Sequence, residues 1–259
     1  MNKPIVEVVA GVLFNHKNEV LLASRPNSKS FAGFWEFPGG KIEANETAHD
    51  AIIREFFEET GLEVQAAYPW LYQVIEREDV VIKLQFMRIY AQNWSGTLIA
   101  KEKQLFSWQN PNEISVAPIL PNNADVINAL RMPLFLSGSL KEGLSSSDER
   151  QQIVALPKSR IHLDENAFLL ADCRQTYMVD NPNKRPFVAI VDKPNIFHQV
   201  QDAQAIIWTG YEKDLIKLLR HGVSLPVFFN QTIKDSTPLK SYIHGLVDFK
   251  NEDKDIFLV

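Results

Sequence analysis

The fold of the first half of the chain is decided by the stretch GKIEANETAHDAIIREFFEETGL, residues 40–62. Thr47, with Asp50 three residues later, has the pattern of a capping box, and Gly61 suits the left-handed residue that ends a helix. Apolar side chains recur every four residues at Ala48, Ile52 and Phe56. The pattern predicts a helix over about residues 48–60 that packs this apolar stripe against a core.

Three glutamates of the predicted helix share a second face, because Glu55, Glu58 and Glu59 stand at positions i, i+3 and i+4. Like charges at this spacing repel one another by roughly 0.2–0.5 kcal/mol per pair on an exposed helix. A hard divalent cation such as Mg²⁺, which prefers carboxylate and phosphate oxygens, would remove that repulsion. Arg54, four residues before Glu58, can hold one of the carboxylates in place. The alternative is an acidic face that is merely solvated.

The same stretch resembles the signature of the Nudix hydrolases at every fixed position of that signature. The matching residues are Gly40, Glu46, Arg54, Glu55, Phe56, Glu58, Glu59, Gly61 and Leu62. The resemblance implies an α+β fold in which a mixed β-sheet is sandwiched by helices, with the signature as a loop–helix–loop. It also implies an enzyme that hydrolyses a nucleoside diphosphate linked to another group.

Roles for individual residues follow from this resemblance. In the family, the equivalents of Glu55, Glu58 and Glu59 bind the catalytic metal or activate water, and the backbone carbonyl at Gly39 often joins them. Glu55 is the favoured general base or bridging ligand, although different members of the family use different glutamates. Arg54 is implied to orient the carboxylates, and Glu46 to support the site. Mg²⁺ is the expected cofactor, with Mn²⁺ as an alternative.

Residues 4–131 further resemble the MutT branch of that family, which converts oxidised guanine nucleoside triphosphates to monophosphate and pyrophosphate. The lead-in to the signature, Trp35 to Glu43, is similar to that of the branch. The resemblance implies a metal-binding carboxylate at Glu102. It also implies contacts to the phosphates or the purine from four residues: Arg25, Phe37, Asp79 and Asn123.

Four of these five assignments have a plainer alternative. Asn123 could be the N-cap of the helix that follows, and Asn122 could take its place in the match. Arg25 could be a solvated turn residue, Phe37 a core residue, and Glu102 part of a surface ion pair with its neighbouring lysines. The branch also tends to place a basic or polar residue where this chain has Val80, which bears on selectivity for 8-oxoguanine more than on pyrophosphohydrolysis.

The composition is that of an ordinary globular protein, with 259 residues, of which 45% are hydrophobic and 23% charged. This excludes a disordered or fibrous chain and leaves room for two domains. No stretch approaches the roughly 20 apolar residues that cross a bilayer. A single cysteine, Cys173, cannot form an internal disulfide, which suits a cytoplasmic protein. The net charge of −5 gives no general attraction for nucleic acids or anionic membranes. The partner that the resemblance implies is a nucleoside triphosphate substrate.

The pattern along the chain predicts two domains. Residues 1–135 are expected to form the Nudix domain, with strands around 71–75, 80–91 and 105–108 and a second helix over 124–130. Residues 136–152 are polar and are predicted to be a linker. Residues 153–259 alternate strand-like and helix-like runs, which predicts a smaller α/β domain with a mostly parallel sheet.

The second half faintly resembles a thiamine-phosphate-synthase-like barrel. About 110 residues follow the predicted linker, whereas an eightfold barrel usually takes 200 or more, so we expect a degenerate half-barrel. No phosphate loop or basic strand-end motif points to catalysis there. The histidines of this half, which lack metal-ligand spacing, are His162, His198, His221 and His244.

Two other function classes remain open. One is a Nudix hydrolase of other specificity, acting on sugar nucleotides or dinucleotides. The other is a nucleotide sensor that uses the Nudix fold without catalysis. The complete set of Glu55, Glu58 and Glu59 speaks against the sensor, because a protein that only binds has no need of all three. The sequence does not reveal the oligomeric state.

Overall fold

A computed structural model describes residues 3–27, 30–101, 104–140, 142–146, 152–155, 168–174, 186–197, 199–200, 202–220, 222–230 and 242–249. The chain divides into two compact units, Met1–Arg131 and Met132–Val259. The strands of the first unit are β1 (Ile5–Leu13), β2 (Val20–Ser24), β3 (Trp35–Glu36), β4 (Gly39–Lys41), β5 (Glu63–Val64), β6 (Tyr68–Glu76), β7 (Val81–Ile89), β8 (Trp94–Ser95) and β9 (Phe106–Gln109). Its described helices are α1 (Ala48–Thr60) and α2 (Pro121–Leu130), and a 3₁₀ turn lies at Ala91–Asn93.

The centre of the first unit is a mixed sheet in the order β4-β1-β7-β6, in which β1 and β7 are parallel and the other pairs antiparallel. Side chains alternate across β1, so Ala10 and Val12 lie in a core with α2, while Val9 and Leu13 lie in a core with α1. The sheet is therefore sandwiched between the two helices, as the resemblance implies. The remaining strands form a three-stranded sheet, β3-β2-β9, and a two-stranded pair, β5-β8.

Helix α1 begins and ends where the sequence predicts. The side chain of Thr47 accepts a hydrogen bond from the Asp50 N–H at 3.1 Å. Gly61 adopts φ 73° and donates its N–H to the Phe57 carbonyl at 3.1 Å. Ile52 and Phe56 are completely buried, so the predicted apolar stripe is confirmed.

Helix α2 begins earlier than the predicted start at residue 124. Pro121 occupies its first turn, where a missing N–H costs nothing and the fixed φ favours a helix. The N-cap is Leu120, which makes no side-chain capping bond. The proposed capping role of Asn123 is therefore wrong, because Asn123 already lies inside the first turn.

The described strands of the second unit close into a barrel. They are β10 (Phe135–Ser139), β11 (Gly143–Ser146), β12 (Gln152–Ala155), β13 (Phe168–Asp172), β14 (Phe187–Val191), β15 (Ala205–Trp208), β16 (Val227–Asn230) and β17 (Gly245–Phe249). The described helices are α3 (Pro194–Phe197) and α4 (Glu212–Arg220). Pairing is antiparallel from β10 through β11 to β12 and parallel elsewhere, including the closure of β17 on β10. Val188 and Ile190 of β14 pack inside the ring, whereas Ala189 and Val191 share an outer cluster with α4.

Two predictions for the second half are wrong. The segment predicted as a linker, 136–152, holds most of β10 and all of β11, which form a hairpin of the barrel. The predicted half-barrel is a closed ring, because this hairpin supplies two strands and the described strands have only four or five residues each. The sequence did not predict this hairpin because its serines and glycines are typical of a loop, and its outer face does not require an apolar stripe.

The lone Cys173 is buried and not part of a disulfide. Among the described residues, no helix combines the length and apolar character needed to cross a membrane.

Candidate active site

The pairing of β4 with β1 places two consecutive glycines beside helix α1. Gly39 lies opposite Ala10 and Gly40 opposite Val9, and Val9 shares its core with the apolar stripe of α1. The polar face of the same helix therefore runs along the β4 backbone. This arrangement brings the two ends of the signature together.

Gly40 makes room for the carboxylate of Glu55. A Cβ at position 40 would lie 2.1 Å from Glu55 Oε1 and 2.3 Å from its Cδ, far inside van der Waals contact. Only a residue without a side chain allows Glu55 to rest against this backbone. The structure thus supplies a steric reason for the first glycine of the signature.

Gly39 contacts a second glutamate of the same helix. Its N–H donates to Glu59 Oε2 at 3.3 Å, and Gln104 Nε2 donates to the other oxygen, Oε1, at 3.1 Å. Glu59 is only 4% exposed. Because a Cβ on Gly39 would lie 2.2 Å from the Val9 carbonyl oxygen and its φ is +152°, this position also requires glycine.

Arg54 ties together the remaining carboxylates of the signature. Its Nε and Nη2 donate to the two oxygens of Glu46, both at 2.9 Å, in a bidentate pair. Its Nη1 donates to Glu55 at 2.9 Å and to Glu58 at 3.2 Å, and Nη2 also donates to the Lys41 carbonyl at 3.0 Å. The hydrogen bond from Arg54 lowers the pKa of Glu46, and Glu46 in turn raises the pKa of Arg54. The guanidinium therefore stays charged and orients three carboxylates at once.

The donor chemistry of this region fits a hard divalent cation. The candidate ligands are carboxylate oxygens of α1 and the backbone carbonyl of Gly39. Along the chain, this carbonyl lies between the Gly39 N–H, which binds Glu59, and Gly40, whose backbone lies against Glu55. Within the described part of the chain, no three acidic, histidine or cysteine side chains are already gathered at metal-binding distance. Glu55, Glu58 and Glu59 accept hydrogen bonds from Arg54, from Gln104 and from the Gly39 N–H.

The predicted ligand Glu102 lies outside the described residues, so its role stays a prediction. The described residues on either side of it are both bonded to α1. Lys101 donates its N–H to the Glu59 carbonyl at 3.2 Å, and Gln104 binds the Glu59 carboxylate. Sequence reasoning missed Gln104 and Lys101. The charged run Lys-Glu-Lys-Gln around the predicted ligand was the available signal.

Phe37 and Asn123, predicted to contact the purine, are brought together by a direct hydrogen bond. The Phe37 N–H donates to Asn123 Oδ1 at 2.8 Å, and both residues are almost completely buried. The Phe37 ring packs edge-on against Phe86 at 6.1 Å between centroids, as expected of the core alternative. Because the Asn123 oxygen already accepts this bond, a ligand would use the second lone pair of that oxygen or the Nδ2 donor.

Arg25 and Asp79 lie in different surroundings. Arg25 forms an ion pair with Glu36 and donates Nε to the Ser30 carbonyl at 2.7 Å, so it is not a solvated turn residue. Asp79 is exposed in the turn between β6 and β7, two residues before Val81, which pairs with Ile5. Gly40 pairs with Val9, four residues along β1 from Ile5, so Val81 is already about 13 Å of strand away from the glycine pair, and Asp79 lies beyond Val81. The structure does not gather Asp79 with the carboxylates of α1.

Comparisons with known proteins cover the first unit. The family model of the NUDIX domain matches residues 4–130. The CTP pyrophosphohydrolase of Escherichia coli (strain K12) is 33% identical over 125 residues, 48% of this chain and 90% of that protein. The 8-oxo-dGTP diphosphatase of Haemophilus influenzae is 32% identical over 130 residues, 50% of this chain and 94% of that protein. The chain is also similar to a solution structure of the E. coli ORF135 protein, with 32% sequence identity and a TM-score of 0.43. The match covers 49% of this chain and 88% of the ORF135 chain.

Proposed function

We propose pyrophosphohydrolysis of nucleoside triphosphates for this chain, which belongs to the Nudix family and is a hydrolase of that family. The products are a nucleoside monophosphate and pyrophosphate. One observation carries the proposal: the Gly39–Gly40 backbone meets the carboxylates of Glu59 and Glu55, while Arg54 joins Glu55 to Glu58. Two glutamates of α1, Glu55 and Glu59, thus lie against one short piece of backbone, and Glu58 is linked to Glu55 through Arg54.

Mg²⁺ is the proposed cofactor, and when bound it neutralises the triphosphate oxygens and favours attack on phosphorus. The proposed ligands are Glu55, Glu58 and Glu59, the Gly39 carbonyl, and Glu102. Arg54 holds Glu55 in one orientation, and we assign Glu55 to remove the proton from the attacking water. Because phosphoryl transfer depends mostly on positioning and charge, a helix that carries several fixed oxygens suits the reaction.

An oxidised guanine nucleotide, 8-oxo-dGTP, is the proposed substrate. Asn123 is buried beside an apolar cluster that includes half-buried side chains of the central sheet, Val8, Ile75 and Ile82. A flat base needs such an apolar surface together with a polar group at its edge, which the Asn123 amide provides. Arg25 and Asp79 are proposed contacts at the edge of this region. The similarity to 8-oxo-dGTP diphosphatases supports the same substrate.

A cytidine triphosphate is the second candidate. The chain is as similar to a CTP pyrophosphohydrolase as to the 8-oxo-dGTP diphosphatase, at 33% and 32% identity. Val80 also stands where MutT enzymes tend to carry a basic or polar residue. Both candidates share the pyrophosphohydrolase chemistry and differ in the base and in the 2′-hydroxyl of the sugar.

The deciding experiment measures pyrophosphate and orthophosphate released from 8-oxo-dGTP, dGTP, CTP and dCTP with Mg²⁺. We expect pyrophosphate as the product, and Glu58→Gln to lower turnover and Mg²⁺ affinity together, since the variant keeps the shape and removes a charged ligand. Glu63→Gln, which neutralises an exposed glutamate of β5, is the control and should behave like wild type. Release of orthophosphate or a sugar phosphate would indicate another Nudix specificity. Nucleotide binding without any hydrolysis would indicate a sensor.

The role of Asn123 is tested by the ratio of kcat/KM for 8-oxo-dGTP to that for CTP. Asn123→Ala removes the base contact and also the acceptor of the Phe37 N–H, so some loss for every substrate is expected. A base edge left unpaired costs about 1–3 kcal/mol, or roughly 5- to 150-fold. We expect the ratio to fall by this factor. An unchanged ratio would show that Asn123 only supports Phe37.

A further inference from the structure

Glu59 is the most deeply buried of the three acidic residues Glu55, Glu58 and Glu59 of α1, and its carboxylate accepts hydrogen bonds from a backbone donor and a side-chain donor. A buried carboxylate is costly unless its oxygens are hydrogen-bonded. The Gly39 N–H reaches one oxygen at 3.3 Å, and the Gln104 amide reaches the other at 3.1 Å. The side-chain donor therefore makes the shorter of these two contacts.

The orientation of the Gln104 amide is fixed by chemistry. A carboxylate only accepts hydrogen bonds, so the Nε2 group must face Glu59 and the amide oxygen must point elsewhere. Gln104 is itself 6% exposed, and its Oε1 is buried without a hydrogen-bond partner in the part of the chain that the structure describes. A glutamine that served only to fill space would not leave a buried acceptor in this state, because an unpaired buried acceptor is destabilising.

The backbone on both sides of Gln104 is fastened to neighbouring elements. Before it, Lys101 donates Nζ to the Phe57 carbonyl at 2.7 Å and its N–H to Glu59, so this segment is docked on the last turn of α1. After it, Leu105 exchanges hydrogen bonds with Ser24 of β2, at 2.8 and 2.9 Å. In the described part of the chain, the residues nearest to Gln104 on either side, Lys101 and Leu105, are thus each bonded to a neighbouring element.

We propose that Gln104 is a positioning residue for Glu59, whose carboxylate it holds in the orientation that receives a divalent cation. The inference rests on the proposed function, because it takes Glu59 to be a metal ligand. Gln104 acts through Glu59, so its loss should weaken metal binding without exceeding the loss caused by removing the charge of Glu59 itself. Groups that orient metal ligands typically contribute about 10- to 100-fold in metal affinity.

The test uses the full chain and Mn²⁺ alone, with free Mn²⁺ followed by electron paramagnetic resonance. Gln104→Met keeps the length of the side chain and removes the donor, and we expect the dissociation constant for Mn²⁺ to rise about 10- to 100-fold. Gln109→Met is the matched control, since Gln109 is equally buried but binds Ser107 and Ser115. Glu59→Gln sets the upper limit of the effect. Thermal unfolding without metal checks that each variant is folded.

Three results would overturn the proposal: Mn²⁺ affinity of Gln104→Met within twofold of wild type, equal losses in Gln104→Met and Gln109→Met, or a loss larger than that of Glu59→Gln. If Gln104→Met does not fold, Gln104→Asn, whose amide is one methylene too short to reach Glu59, replaces it with the same expectation. Wild-type protein that binds Mn²⁺ yet hydrolyses no nucleotide would refute the proposed function and leave this inference standing. Wild-type protein that binds no Mn²⁺ would refute both.

Discussion

Replacing Gly40 by alanine should abolish most of the activity while leaving the fold intact. The new Cβ would lie 2.1 Å from Glu55 Oε1, and ordinary contact begins at about 3.4 Å, so the carboxylate must retreat by about 1.3 Å. A displacement of about 1 Å at a reacting group can cost roughly 100-fold in rate, which corresponds to about 2.7 kcal/mol. The folding free energy should change by less than about 1 kcal/mol, because only the end of a flexible side chain is displaced.

Gly39→Ala is the matched contrast, since the same methyl group is added one residue earlier. The methyl group at position 39 would lie 2.2 Å from the carbonyl oxygen of Val9, which belongs to a strand of the central sheet. Gly39 also has a φ of +152°, a conformation that L side chains rarely adopt. The backbone conformation alone should cost about 1–3 kcal/mol, so this variant should lose stability. The assays are pyrophosphate release and thermal unfolding. Wild-type turnover in a folded Gly40→Ala protein would refute the reasoning, as would equal destabilisation of the two variants.

Three further predictions concern stability and organisation. The hydrogen bond from Arg54 lowers the pKa of Glu46, so the ionised carboxylate stabilises the fold above its ordinary pKa of 4.5, and this contribution is lost as the pH falls. Glu46→Gln should therefore lower the melting temperature at pH 7. A difference from wild type that persists unchanged at pH 3 would contradict this. A fragment of residues 1–131 should fold and keep its turnover number within a few-fold, and a folded fragment that binds Mn²⁺ without hydrolysis would contradict this. Burial, with a smaller effect of Asp172, raises the pKa of Cys173 from 9.0 to about 11. Its thiolate population at pH 7.5 is therefore about 100-fold lower than that of an exposed cysteine, and the native protein should react slowly with a thiol reagent. Rapid labelling of the native thiol would contradict this.

The helix of the signature could be predicted to the residue, because everything that defines it is local. Thr47 caps it, Gly61 ends it, and the apolar stripe recurs at the helical period. Arg54 likewise donates to Glu58, as the four-residue spacing indicates, whereas its additional bond to the adjacent Glu55 was not predicted. Properties that depend only on residues within one or two helical turns can be predicted from the sequence alone.

The partners of Glu59 and Asn123 could not be predicted, because they are distant in the chain. Gln104 reaches Glu59 across 45 residues and Asn123 reaches Phe37 across 86, and no periodicity records such contacts. The barrel hairpin was missed for a related reason. Glycines and serines in β10 and β11 resemble a loop locally, and only pairing with neighbouring strands makes them strands.

Glu55, Glu58 and Glu59 of α1 occupy three different environments, and this difference indicates a different part for each of them in binding a cation. Glu59 is buried between Gly39 and Gln104, so moving it would leave donors unpaired. Glu58 is 54% exposed and is held by a 3.2 Å bond from Arg54, so it can reorient at little cost. Glu55 is intermediate, since Gly40 gives it space and Arg54 limits its direction. A cation arriving at this helix would therefore meet one fixed carboxylate, one mobile carboxylate, and a third that is oriented but still accessible to water.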